Sequence, residues 1–206
     1  MDIRHMAPGG RVSTGLLAWH DQRLVFTISQ PSYWLVEQGR TRIDLIGIGG
    51  GQEAGETLTE AVCREAVEEA GEEIAIVGAK RTLISWQDGR LEQMDAPAGE
   101  TAPLLIWQRM IPIKKPGREP YDCTWATAVY EGVFHNRPHP ASESPALVWI
   151  GLQDFLTLAE HPRPLAELLG NGTFYEGVEL PDGTLVGLSG SALYLAEFFD
   201  RLERGE

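Results

Sequence analysis

Cysteine is scarce in this sequence: Cys63 and Cys123 are the only two among 206 residues. Two thiols are too few for a disulfide framework or a cysteine-based zinc site. Cys63 lies in a segment that reads as helix and suits a small core position. Basic residues are also few. Seventeen Lys and Arg stand against thirty Asp and Glu, a formal net charge of -13. The clustered basic surface that a nucleic-acid polymer demands is therefore not expected. An acidic chain can still hold an anionic small molecule if a divalent cation lies between them. No run approaches the roughly 18 apolar residues of a membrane span, and residues 1–15 contain no apolar signal core. The expectation is a cytoplasmic protein with no membrane partner.

Hydrophobic residues make up 43% and charged residues 23%, a globular balance that excludes a disordered chain. The length suits one domain, read as a core over about 12–160 with an extension over about 161–206. Residues 12–19 and 23–29 are β-branched and aromatic runs around His20-Asp21-Gln22, which reads as a hairpin. Residues 31–42 look irregular, and 43–48 form a short strand ending in Gly49-Gly50-Gly51. Strands are expected over 74–86, 104–113, 124–134 and 147–150. The polar stretch 87–103 reads as a long loop, and 114–120 as a second polar break. Helices are expected over 152–160, 165–169 and 191–203. Residues 173–186 read as a hairpin turning at Pro181-Asp182-Gly183. The last helix has an apolar face including Leu193, Phe198 and Phe199, which would cover its own domain or form a homodimer contact.

The clearest helix runs from about Leu58 to Ala70. Thr57 and Glu60 have capping-box spacing, and Gly71 is placed to stop the helix. At 100° per residue, Glu65, Glu68, Glu69 and Glu72 fall at about 0°, 300°, 40° and 340°, one narrow face. Thr59, Val62, Cys63, Ala66 and Ala70 supply the apolar stripe beside it. Like charges four residues apart cost about 0.2–0.5 kcal/mol per pair. A hard cation such as Mg²⁺ or Mn²⁺ would turn that repulsion into coordination. A merely solvated acidic face is the alternative for an arbitrary Glu-rich helix.

The surrounding residues weigh against that alternative. Gly50, Glu56, Arg64, Glu65, Glu68, Glu69 and Gly71 match the spacing G-x5-E-x7-R-E-U-x-E-E-x-G-U, where U is bulky and apolar, and the segment resembles the Nudix box. A chance match of those seven is on the order of 10⁻⁶ in one chain. Ala66 and Glu72 depart from the two U positions, and Ile48 stands where Pro often precedes the glycines. Ile74 is placed to take over the second packing role.

The resemblance implies an α/β fold: a Nudix-type α/β/α sandwich with a mixed central sheet and a loop–helix–loop metal site. It implies a Mg²⁺-dependent hydrolase (Mn²⁺ substituting) that cleaves a phosphoanhydride bond in a nucleoside diphosphate linked to another group. By position, Glu65, Glu68 and Glu69 would hold metal. Glu56 would be an outer ligand or orient water, a carbonyl near Gly50 could add a ligand, and Arg64 would hold the glutamates in place. Candidates for the general base are Glu68, Glu69 and Glu143, the last in the turn before Leu147.

Trp34, Tyr33 and Trp86 could stack on a base, and each also suits packing. Arg40, Arg42 and Lys80 could meet a diphosphate, and His135 and His139 a phosphate. Damaged nucleotides, dinucleoside polyphosphates, nucleotide sugars and non-nucleoside diphosphates all remain open as substrates. A Nudix-fold module that binds a nucleotide without turnover is the alternative from another class, and a coincidental motif on an acidic interaction protein is a third.

Overall fold

The first hairpin turns on two non-glycine residues in the left-handed region, Asp21 (φ 48°) and Gln22 (φ 61°). That pairing of positive φ values is what a two-residue turn needs to match the twist of its strands. The computed structural model describes residues 1–37, 39–113 and 119–203. Residues 114–118, within the expected polar break, lie outside the described residues.

Along the chain run β1 (Arg11–His20), β2 (Arg23–Ile28), β3 (Leu35–Glu37), β4 (Arg40–Ile46), α1 (Leu58–Ala70), β5 (Ile74–Val77), β6 (Arg81–Ser85) and β7 (Leu91–Asp95). There follow β8 (Leu105–Ile113), β9 (Tyr121–Phe134), β10 (Ala146–Ile150), α2 (Leu152–Glu160), β11 (Arg163–Pro164), α3 (Leu165–Gly170), β12 (Phe174–Gly177), β13 (Leu185–Leu188) and α4 (Gly190–Glu203). The protein is of the α/β class, as expected. Contacts group the chain into two units.

The first unit comprises Met1–Leu16, Gly49–Arg64 and Ile76–Gly132. Its sheet is mixed. β8 and β9 pair antiparallel from Leu105↔Val129 to Ile113↔Tyr121. β6 runs parallel to β8, and β7 antiparallel to β6. β7 corrects the expectation of a long loop over 87–103. Its residues Leu91-Glu92-Gln93-Met94-Asp95 are mostly polar because the strand is largely exposed, so no apolar run marks it. The hairpin closes where Trp86 N–H donates to the Arg90 carbonyl at 2.9 Å. The Arg90 guanidinium lies 4.7 Å from the Trp86 ring, a cation–π contact across the turn.

The second unit comprises Leu17–Ile48, Glu65–Ala75 and Val133–Glu206. Its sheet is also mixed: β2 pairs antiparallel with β1, β4 and β10, while β13 runs parallel to β4. All five residues of β10 are buried, and Phe26 of β2 stacks on Phe155 of α2 at 4.8 Å. β3 pairs with β4 inside the stretch read as irregular. It escapes notice because Leu35 and Val36 are exposed, leaving no alternation of burial to see.

The expected 173–186 hairpin does not form. Its turn is present, with Gly183 at φ 74° and Thr184 N–H donating to the Pro181 carbonyl. The flanking strands take other neighbours: β12 pairs with β10 and β13 with β4. A local turn sets chain reversal, but burial against β10 sets the pairing, and Phe174 stacks on Trp149 at 4.7 Å. In α4, Leu195, Ala196 and Phe198 are buried while Leu193 is exposed.

Candidate metal centre

The helix that carries the acids starts where its local chemistry places it. Thr57 N–H donates to Glu60 Oε2 at 2.8 Å, and Glu60 N–H donates to Thr57 Oγ1 at 3.2 Å. This reciprocal pair satisfies N–H groups that a helix start leaves open. The Thr57 N–H and the Thr57 hydroxyl, which donates to Glu60 Oε2 at 2.9 Å, hold the Glu60 carboxyl below its ordinary range. Val62, Ala66 and Ala70 are fully buried, as the wheel implies, while Thr59 and Cys63 are half-buried. Ile74 is buried and Ile48 fully so.

In the first unit, the glycine loop lies against the start of β1. Thr14 N–H donates to the Gly50 carbonyl at 2.8 Å, and Gln52 N–H to the Val12 carbonyl at 3.2 Å. Gly49 sits at φ 147°, and a Cβ there would come within 2.3 Å of the Thr14 carbonyl oxygen, so no side chain fits. Arg64 grips this loop. Its Nε donates to Glu56 Oε1 at 2.8 Å, and its Nη2 to the Gly51 carbonyl at 2.9 Å and to Glu56 Oε2 at 3.3 Å. Glu56 also accepts the Glu53 N–H at 2.9 Å. The Arg64 hydrogen bonds, then the Glu53 N–H, hold the Glu56 carboxyl below the usual carboxylate range, so it stays ionised at neutral pH.

In the second unit, carboxylate oxygens of Glu65, Glu68 and Glu143 lie within 4.8 Å of one another. Glu65 is only 6% exposed, Glu68 half-buried and Glu143 exposed. Glu69, expected beside them, is not one of these three. Glu72 is drawn to Asn136, whose Nδ2 donates to its Oε2 at 3.2 Å.

What brings Glu143 to α1 is a backbone arrangement. A helix leaves its last carbonyls without helical partners. Here the N–H groups of His139, Ala141 and Glu143 donate to the carbonyls of Ala70, Glu69 and Glu68, at 3.0, 3.3 and 3.3 Å. Gly71, at φ 67°, ends the helix, and a Cβ there would lie 2.4 Å from His139 Nε2. The expected helix stop is thus confirmed, together with a cap from a distant segment that no local pattern signals. The last turn of α1 contains no basic residue. Glu68, in that last turn, therefore adds negative charge at the negative end of the helix dipole.

Of the other candidates, Trp34 and Arg42 have structural partners. Trp34 Nε1 donates to the Ser29 carbonyl at 2.8 Å, and Arg42 pairs with Asp44 at 3.0 Å. Tyr33 is 74% exposed. Arg40, Lys80 and His135 are exposed. Sequence reasoning missed Gln30, Thr27 and Ser144: Gln30 Nε2 donates to the Glu143 carbonyl at 2.8 Å, and the Thr27 and Ser144 hydroxyls bond each other.

No family model matches the chain, and no curated protein does. Solved structures of Nudix hydrolases do resemble it. A MutT protein from Methanosarcina mazei Go1 is 16% identical, with a TM-score of 0.46 over 95% of this chain and 94% of that one. A NUDIX-family hydrolase from Clostridium perfringens is 14% identical, with a TM-score of 0.44 over 71% and 83%. An ADP-ribose pyrophosphatase from Streptococcus suis is 12% identical, with a TM-score of 0.40 over 70% and 76%. None of these likenesses bears on what this chain binds. Among the described residues, no helix is long and apolar enough to cross a membrane.

Proposed function

We propose that the protein is a Mg²⁺- or Mn²⁺-dependent Nudix-type pyrophosphohydrolase acting on a nucleoside diphosphate linked to another moiety. The observation that carries this reading is the trio Glu65, Glu68 and Glu143, with carboxylates within 4.8 Å, two of them at metal positions of the box. The donor set fits the ion: all three offer carboxylate oxygens, which hard divalent cations favour over softer ligands. When bound, such a cation supplies charge neutralisation at phosphate oxygens and makes a coordinated water more acidic.

The chain's own residues have separable tasks. Glu65, buried, and Glu68 hold the cation, with Glu69 beside them. Glu143, exposed at the rim, completes the donor set, which leaves Glu69 as the proton acceptor for the attacking water. Arg64 clamps Glu56 and the Gly51 carbonyl, keeping the glycine loop in place against β1. Glu56, held ionised by Arg64, is the acidic half of that clamp.

The test incubates the protein with nucleoside diphosphate derivatives in Mg²⁺, in Mn²⁺ and in chelator, and measures released phosphate species. Glu68→Gln and Glu69→Gln run beside it. Metal-dependent turnover, lost in the variants, is the expected result. Binding without turnover on any compound would replace the hydrolase with a nucleotide sensor.

A further inference from the structure

Glu143 belongs to a loop between β9 and β10 and has an exposed side chain. A long carboxylate on such a loop samples many positions unless its main chain is held. Here it is held from two sides. Toward α1, its N–H donates to the Glu68 carbonyl at 3.3 Å. Toward β2, its carbonyl accepts from Gln30 Nε2 at 2.8 Å.

The next residue is anchored more deeply. Ser144 is buried; its N–H donates to the Ala141 carbonyl at 3.1 Å and its Oγ to the Ala146 carbonyl at 3.0 Å. The Ser144 hydroxyl also bonds that of buried Thr27, which lies on β2 opposite Leu147 of β10.

We propose that Gln30, backed by Thr27 and Ser144, is a positioning latch that sets the Glu143 carboxylate into the acidic centre and thereby tunes its cation affinity. This rests on the reading of Glu65, Glu68 and Glu143 as a cation site. Gln30 is exposed, and one exposed hydrogen bond contributes little to overall stability. Its effect is on where a ligand points. Groups that orient a metal ligand typically change affinity by 10- to 100-fold when removed.

The experiment measures Mn²⁺ binding by electron paramagnetic resonance of the free ion, which needs no substrate. It compares the natural protein with Glu65→Gln, Gln30→Met, Glu143→Gln and the Gln30→Met/Glu143→Gln double variant. Methionine keeps the length of glutamine and removes the donor. The expected result is that Gln30→Met raises the Mn²⁺ Kd by about tenfold with an unchanged unfolding midpoint. The double variant should then bind no more weakly than Glu143→Gln alone, because the latch acts only through Glu143. Ser144→Ala should show the same dependence on Glu143.

An unchanged Kd in Gln30→Met overturns the latch while leaving the cation site intact, provided Glu65→Gln still weakens binding. A full additional loss on top of Glu143→Gln, or a lowered unfolding midpoint, would mark Gln30 as a general structural residue and also overturn it. Failure of the natural protein to bind Mn²⁺ would overturn the cation site itself, and the latch with it.

Discussion

The Glu143 N–H donates to the Glu68 carbonyl at 3.3 Å, joining a loop acid to a helix acid through their backbones. One of the three backbone hydrogen bonds that cap α1 therefore also brings a third carboxylate beside Glu65 and Glu68. Helix termination and site assembly are one event, and disturbing either should disturb both.

Repulsion among the acids gives a prediction with a change of sign. Glu68→Gln relieves like-charge contacts on α1 and removes a charge near the negative end of its dipole. In chelator, the variant should be as stable as the natural protein or more so, by a few tenths of a kcal/mol. In excess Mn²⁺ the order should reverse, because the ion stabilises the folded state that binds it more tightly. Thermal unfolding under both conditions checks this. An Mn²⁺-induced rise in midpoint as large in Glu68→Gln as in the natural protein would refute it.

The Arg64 clamp predicts a pH dependence. Arg64 lowers the folded-state pKa of Glu56, while an unfolded Glu titrates near about 4.3. Stability from this ionisation is present above the unfolded value and lost as pH falls through the lower, folded value. Glu56→Gln should therefore be less stable than the natural protein at pH 7, and the gap should narrow below about pH 4. Urea unfolding from pH 7 to pH 3 measures the gap, and a constant gap would count against the clamp.

Gly71→Ala should be costlier than Gly183→Ala. Both positions have positive φ, 67° and 74°, so both substitutions carry backbone strain of about 1 kcal/mol. Only at Gly71 does a new Cβ meet another group, the His139 ring. Gly71→Ala should show the larger fall in unfolding midpoint and also weaken Mn²⁺ binding by displacing the 139–143 segment. Equal midpoints and equal Kd values would argue against the cap as the link.

Removing residues 161–206 should abolish folding of the second unit. β13 lies along β4, β12 along the buried β10, and Phe174 covers Trp149. A chain ending at Glu160 would expose these surfaces and should be recovered as aggregate. A soluble truncated protein with cooperative unfolding would contradict this.

The limits of α1 were legible because they depend on neighbours in sequence. Thr57 and Glu60 face each other across one turn, and Gly71 accepts a backbone conformation that other residues resist. Box spacing likewise places Glu65 and Glu68 on one face of any helix that forms. Strands were legible where burial alternates or is complete, as in β1, β9 and β10. β7 and β3 were missed because exposed edges carry no apolar signature, and the 173–186 pairing because a turn does not select the strands' partners.

By itself, then, the sequence determined a capped, acidic helix from interactions a few residues apart, and box spacing whose resemblance implied an α/β protein. Only the tertiary structure placed Glu143, already a candidate from its position in the chain, beside Glu65 and Glu68, and set Gln30 and Ser144 against its main chain. Those contacts depend on β2, β10 and the end of α1 packing together. Their register is set by burial of side chains far apart in the chain, which no local spacing encodes.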